Sequence, residues 1–250
     1  MSGHSKWSTI KRKKGATDAK RGKIFTRLAR DIAMAAKDGG GDEDANPRLK
    51  LAILKAKAEN MPKDNIERAI LRGTGKGEGM EMEEMTFEGY GPEGVAFIVD
   101  TISDNKNRTL AEVKRVFNRA GGAMASAGSV AWQFEQKGYI ELEGENLDFD
   151  EVFMVAAEAG ADDVVDEDGT IVVYTPRDQY GAVEQALVNG GYTTGTSELR
   201  WVAKNETEVN ADKAAQNLRL MNDLEELDDV QSVASNLLIT DEALAAFETA

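Results

Sequence analysis

Ten cationic side chains stand in the first thirty residues: Lys6, Lys11, Arg12, Lys13, Lys14, Lys20, Arg21, Lys23, Arg27 and Arg30, against the single carboxylate of Asp18. Ammonium and guanidinium groups at this density do one kind of chemistry well. They neutralise the phosphates of a polyanion and release its condensed counterions. Trp7, set among them, offers an indole face for an unpaired base, a contact worth about 1–3 kcal/mol. His4 titrates near neutrality and would add a pH-dependent contact. The whole chain nevertheless carries a formal net charge of −15. Through Lys76 there are 19 Lys and Arg against 9 Asp and Glu, a net of +10; from Gly77 onward there are 11 against 36, a net of −25. A chain that repels polyanions overall has gathered its positive charge at one end, which points to nucleic acid or another anionic surface.

A second basic island interrupts the acidic remainder. Lys106, Arg108, Lys114, Arg115 and Arg119 face only Asp104 and Glu112. That pattern fits a solvated helix face and a second phosphate-contacting surface alike.

Other chemistries are poorly served. The chain has no cysteine, which removes disulfides, thiolate metal sites and cysteine nucleophiles, and His4 is its one histidine. A His-dependent triad or a His-rich zinc site is therefore not expected, and no cofactor or metal is expected either. The glycine-rich run from Gly73 to Gly79 departs from G-x-G-x-x-G, and no Ser or Thr follows Lys76 in P-loop register. Acidic clusters stand at Asp162-Asp163, Asp166-Glu167-Asp168 and Asp223 to Asp229. Metal-dependent phosphodiester chemistry would need such carboxylates to converge from different elements. Turn chemistry at Asp168-Gly169 and a helix end account for the last two clusters more simply.

These residues need elements to position them. Ile24, Phe25, Leu28, Ile32 and Ala35 or Ala36 recur with helical spacing, and Gly39 to Gly41 end that helix. Asn46 caps a second helix with Pro47 in its first turn, and a third opens near Pro62 and ends at Gly73. Residues 1 to about 20 read as a loose basic arm before this bundle. After the glycine run the pattern turns to mixed α/β. Thr86 to Tyr90 reads as a strand, and the apolar run Val95 to Ile102 as a central one. Thr109 and Glu112 match a capping box for the helix that carries the second island. Val130, Trp132 and Phe134 with Ile140 and Leu142 read as a hairpin turning at Lys137-Gly138. A block of helix, hairpin, helix starting at Thr175-Pro176, and strand follows, then a last helix, strand and short helix. The expected fold class is α+β: an N-terminal three-helix bundle followed by two small α/β (ferredoxin-like) domains, one inserted in the other. The expected domains are 1–77, then 78–134 with 205–250, with 135–204 inserted.

The motifs carry a likeness. GHSKW (Gly3 to Trp7), DAKRGKIFTRLARDI (Asp18 to Ile32) and GGGDEDANPRLK (Gly39 to Lys50) resemble the YebC/PmpR family of bacterial regulatory proteins. So do NMPKDNIERAI (Asn60 to Ile70), EGYGPEGVA (Glu88 to Ala96), DNKNRTLAEVKRVF (Asp104 to Phe117) and GSVAWQFEQKG (Gly128 to Gly138). The match runs in order along essentially the whole chain. The resemblance implies a helical first domain, two α/β domains with one interrupting the other, a cytoplasmic location and no catalysis. It implies regulation of transcription through promoter DNA, or, as for mitochondrial relatives that activate translation of a cytochrome oxidase subunit, action at the ribosome.

The expected function is thus a non-enzymatic nucleic-acid-binding regulator of gene expression, with promoter DNA, ribosomal RNA or the ribosome itself as partner. A DNA-binding transcriptional regulator is the first reading and a ribosome-associated translation factor the alternative. The acidic bulk and the lack of a recognition helix push mildly toward irregular RNA. A scaffold for an acidic protein and a metal-dependent nuclease are the readings from other classes. No apolar run reaches the 18 residues of a membrane span, and the basic start lacks a signal peptide's apolar core, so no membrane partner is expected.

Overall fold

The computed structural model describes residues 7, 18–77, 81–144, 147–167 and 169–249, without the side chains of 18–21 and 167. It opens with three helices: α1 (Asp18–Gly39), α2 (Pro47–Ala58) and α3 (Lys63–Gly73). Ile32, Ala35 and Ala36 of α1 close a small core with Leu49, Ile53 and Ala56 of α2 and Ile66 and Ala69 of α3. Asn46 does more than cap α2. Its Oδ1 accepts from Leu49 N at 3.1 Å, while its Nδ2 donates to Ala35 O at 2.7 Å and Gly40 O at 2.8 Å. One buried amide therefore starts α2 and satisfies carbonyls at the end of α1.

Gly73 is where α3 crosses closest to α1. A Cβ there would sit 2.1 Å from the Ala33 carbonyl oxygen, a backbone atom with nowhere to go. Gly73→Ala is expected to cost about 1–3 kcal/mol, read as a fall in the denaturant midpoint at unchanged m.

The first sheet contains β1 (Glu83–Tyr90), β2 (Ala96–Ser103), β3 (Ala123–Ala125) and β8 (Val230–Ser235), in the order β3-β1-β2-β8. All neighbours are antiparallel. Helices α4 (Lys106–Arg119), α7 (Ala211–Glu225) and α8 (Asp241–Glu248) supply its core. Phe97, Val99, Val113, Phe117, Leu218 and Met221 meet there. The opposite face of β2, Ala96 and Ile98, packs on Val130, Phe134 and Trp201. Both faces of β2 are covered, which is why its sequence reads as an unbroken apolar run.

The second sheet contains β4 (Phe134–Glu143), β5 (Asp163–Glu167), β6 (Thr170–Pro176) and β7 (Thr193–Ala203), in the order β5-β6-β4-β7. Helices α5 (Phe149–Glu158) and α6 (Tyr180–Asn189) cover one face with Val152, Ala156, Val183 and Leu187. Strand–helix–hairpin–helix–strand in that order is the split βαβ arrangement of ferredoxin-like folds. Trp201 Nε1 donates to Asp100 Oδ2 at 3.0 Å, tying β7 to β2. The fold class is the one read from the sequence: helices first, then two four-stranded α/β units.

Several local readings need correction. Lys137-Gly138 is not a turn; β4 runs straight through both residues. A Cβ on Gly138 would lie 2.3 Å from Thr175 Oγ1, so this glycine admits a close neighbour instead of bending the chain. α4 starts earlier than expected, capped by Asn105 Oδ1, which accepts from Arg108 N at 3.1 Å. The expected cap, Thr109, is buried inside the helix. α6 begins at Tyr180, because Thr175 and Pro176 still belong to β6.

Candidate nucleic-acid interface

His4, Lys6, Lys11, Arg12, Lys13 and Lys14 lie outside the described residues, and Lys20 and Arg21 are described only as helical backbone at the start of α1. The other candidates can be placed, and most already have partners. Trp7 is 2% exposed in the core of the first sheet. Its ring meets Phe247 of α8 edge to face at 5.3 Å, and Nε1 donates to Glu225 Oε2 at 3.2 Å. The base-stacking role expected of Trp7 is therefore corrected: burying a large apolar ring under α7 and α8 leaves no face for a base.

The cations of α1 converge on the end of α7. Lys23 binds the side chain and carbonyl of Glu226, Arg27 the carbonyl of Glu225, and Arg30 the carbonyl of Asp228. The carbonyls of Glu225 and Glu226 are among those a helix leaves unpaired at its C-terminus, where positive charge is favoured by the helix dipole, and that of Asp228 lies in the turn that follows. Lys23 and Arg27 thus dock the helical unit on an acidic helix end, which corrects their assignment as free phosphate ligands. Trp7 and α1 both contact that helix end, and the rest of the basic arm read from the sequence lies outside the described residues.

Below that contact lies a buried carboxylate. Asp229 is 2% exposed. It accepts from Arg30 at 2.6 Å, Arg108 at 2.9 Å, Thr109 Oγ1 at 2.6 Å and Ser103 Oγ at 2.9 Å. Burial alone would raise its pKa. The hydrogen bonds from Thr109, Arg108 and Ser103, with the charge of Arg30, outweigh burial and hold the carboxyl below its ordinary range. Arg108 also reaches Asp104 at 3.1 Å. It is a structural clamp, so its reading as a phosphate ligand is corrected as well.

What remains on α4 is open. Lys106, Lys114 and Arg115 are exposed and form no ion pair with a described residue. Arg119 is paired with Asp223 at 2.6 Å. Next to the start of α4, Arg72 of α3 pairs with Asp104 at 3.1 Å. That pair brings the third helix beside Lys106 and borders a cleft of about 610 Å³ between α1 and α3. Arg30, Arg68 and Arg72 line it. Sequence reading missed Arg68 and Arg72: their four-residue spacing on one helix was legible as a same-face pair, and only the helix crossing sets that pair against Arg30 of α1.

Trp132 is the other surprise. Its expected place was the interior of a strand, yet it is 68% exposed on a short 3-10 turn, Ala131–Gln133. Glu88 clasps that turn by accepting from Gly128 N, Val130 N and Ala131 N at 2.6, 2.5 and 2.9 Å. Lys204 Nζ donates to the Trp132 carbonyl at 2.9 Å. The exposed indole of the chain is thus Trp132 and not Trp7.

Among the described residues no group of His, Asp and Glu could hold a metal ion, and no helix is long and apolar enough to cross a membrane.

Comparison with known proteins agrees with this architecture. Residues 5–76 match a family model described as the TACO1/YebC protein N-terminal domain, and residues 82–237 match one described as the TACO1/YebC second and third domain. A "Probable transcriptional regulatory protein" of Trichlorobacter lovleyi is 52% identical over 96% of this chain and 97% of its own. One of Syntrophotalea carbinolica is 51% identical over 98% of each chain. Among solved structures, a conserved hypothetical protein from Aquifex aeolicus superposes with a TM-score of 0.85 at 40% identity, covering 91% of this chain and 94% of that one.

Proposed function

The chain belongs to the TACO1/YebC family, and from that premise we propose that it is a non-enzymatic regulator of gene expression that works by binding nucleic acid, as a DNA-binding transcriptional regulator in the cytoplasm. The observation that carries this reading is the charge split. A net of +10 through Lys76 is attached to a body of −25, and the open cations Lys106, Lys114 and Arg115 continue the positive side onto α4. The names of its relatives as transcriptional regulatory proteins support the regulatory half of the proposal. We assign residues 1–77 to the gripping unit, 78–134 with 205–250 to the platform, and 135–204 to an inserted unit. Nucleic-acid contacts in this reading come from His4, Lys6, Lys11, Arg12, Lys13, Lys14, Lys20, Arg21, Lys106, Lys114 and Arg115.

A second reading, a ribosome-associated translation factor on structured RNA, is favoured by one observation. The inserted unit, 135–204, carries 4 Lys and Arg against 16 Asp and Glu, and it stacks on the first sheet. A long straight duplex leaving the cationic side meets that repelling surface, whereas a compact folded RNA need not. Gel shifts on promoter fragments and co-sedimentation with ribosomes, run at one salt concentration, separate the two. Preference for the ribosome would replace the first reading; binding to neither would end both.

The α4 surface has its own test. Lys114→Glu with Arg115→Glu is expected to reduce the salt dependence of binding by about 1.4–1.8 units of log K per log salt, at 0.7–0.9 per lost phosphate contact. An unchanged slope with an unchanged fold would reduce this face to a solvated one.

A further inference from the structure

The geometry points to the cleft between α1 and α3 as a pocket for one unstacked nucleotide of a bound strand, with the phosphate on Arg68 and Arg72 and the base against Phe25, Met61 and Leu71. This deepens, and rests on, the nucleic-acid reading above. The cleft has the volume of a small-ligand site, about 610 Å³, and no Asp or Glu is among its described lining residues. That is notable in a chain with 45 acidic residues.

Its three arginines differ in what they have left to give. Arg30 is consumed by Asp228 and Asp229. Arg72 gives Nη2 to Asp104 at 3.1 Å, but its Nε is buried with no partner. A buried donor left unmade is costly, and a small turn of the Arg72 side chain toward the cleft would let a phosphate oxygen satisfy it. Arg68 meets only neutral acceptors, the Asp64 carbonyl at 3.2 Å and the side-chain oxygen of Asn65. It forms no ion pair with a described residue. Two guanidinium groups one helical turn apart, neither closed off by a described carboxylate on every donor, suit a phosphate group.

The other half of the lining argues against a bare anion. Phe25, Ala29, Met61, Leu71 and Met82 give the cleft an apolar wall. Leu71 is 45% exposed there, an apolar side chain left uncovered beside charged ones. A nucleobase uses such a wall; inorganic phosphate does not. Asn65 adds an amide at the rim that can address a base edge. The cleft is also continuous with the proposed strand path. Asp104, the partner of Arg72, lies two residues before the exposed Lys106 at the start of α4, the helix that also carries the exposed Lys114 and Arg115.

The test uses the full-length protein with labelled amides. Adenosine 5′-monophosphate, adenosine and inorganic phosphate are titrated separately and followed by amide shifts. In the same preparations, fluorescence anisotropy measures binding of a single-stranded oligouridylate about ten nucleotides long and of a DNA duplex. The nucleotide is expected to shift Phe25, Asn65, Arg68 and Arg72, and to bind roughly tenfold more tightly than adenosine or phosphate, since only it uses both walls. Arg68→Glu, at an exposed position, should weaken the nucleotide and the oligouridylate by roughly tenfold or more at an unchanged melting temperature. Phosphate matching the nucleotide would reduce the cleft to an anion site and overturn the proposal. Shifts elsewhere, or an Arg68→Glu variant that binds as before, would overturn it too. If the polymers bind while the mononucleotide does not, the pocket is lost and the nucleic-acid reading stands; if nothing binds, both fall.

Discussion

Asp229→Ala is expected to destabilise the protein by about 3–5 kcal/mol, the cost of removing one member of a buried, charged hydrogen-bonded cluster. The carboxylate holds four donors from three elements: Arg30 on α1, Ser103 at the end of β2, and Arg108 and Thr109 on α4. Removing it leaves Arg30, whose side chain is 13% exposed, without its carboxylate partner. Chemical denaturation monitored by tryptophan fluorescence measures the loss. A change below about 1 kcal/mol would mean the cluster is not structural. The same carboxyl sets a pH dependence. Its folded pKa is held below the unfolded value, so its stabilisation is present above the ordinary carboxylate range and is lost as pH falls through the folded pKa. Asp31 on α1 works the opposite way. Burial pushes it up to about 6, so its contribution favours the folded state at low pH and is lost as pH rises through that value. In Asp229→Ala the acid-side loss of stability should shrink relative to the unsubstituted protein.

The second large effect concerns binding. Replacing Lys11, Arg12, Lys13 and Lys14 with alanine is expected to flatten the plot of log K against log salt by about 2.8–3.6 units, at 0.7–0.9 per phosphate contact. Anisotropy titrations across a salt series measure the slope. The anchors on either side make this a test of the charges alone. Trp7 and the α1 cations Lys23 and Arg27 are fixed to the end of α7 by contacts the substitutions do not touch. An unchanged slope would move the interface away from this segment. Loss of slope without loss of fold would place it there.

The elements were legible where local chemistry dictates them. Asn46-Pro47 announces the start of α2, and the apolar run through Val95 to Ile102 announces a central strand. Gly138 misled because a glycine between two polar residues signals a turn locally, while here it makes room for Thr175 and Tyr180 from other elements. Thr109 misled for a similar reason: its hydroxyl looks like a cap until Asp229, distant in sequence, is found to accept from it. Trp7, read as a base-stacking side chain, is buried, and Trp132, read as part of a strand, is exposed on a short turn; a single aromatic carries no period from which a face can be read.

By itself the sequence determined the class of the fold, the order of its helices and strands, and the segregation of positive from negative charge, since propensity, periodicity and net charge are local or additive quantities. Tertiary structure alone decided which cations are spent and which are open. Lys23, Arg27, Arg30 and Arg108 look no different in the chain from Arg68 or Lys114. Whether a charge is neutralised depends on a carboxylate or helix end brought within about 3 Å from 121 to 203 residues away, and on the water that contact excludes.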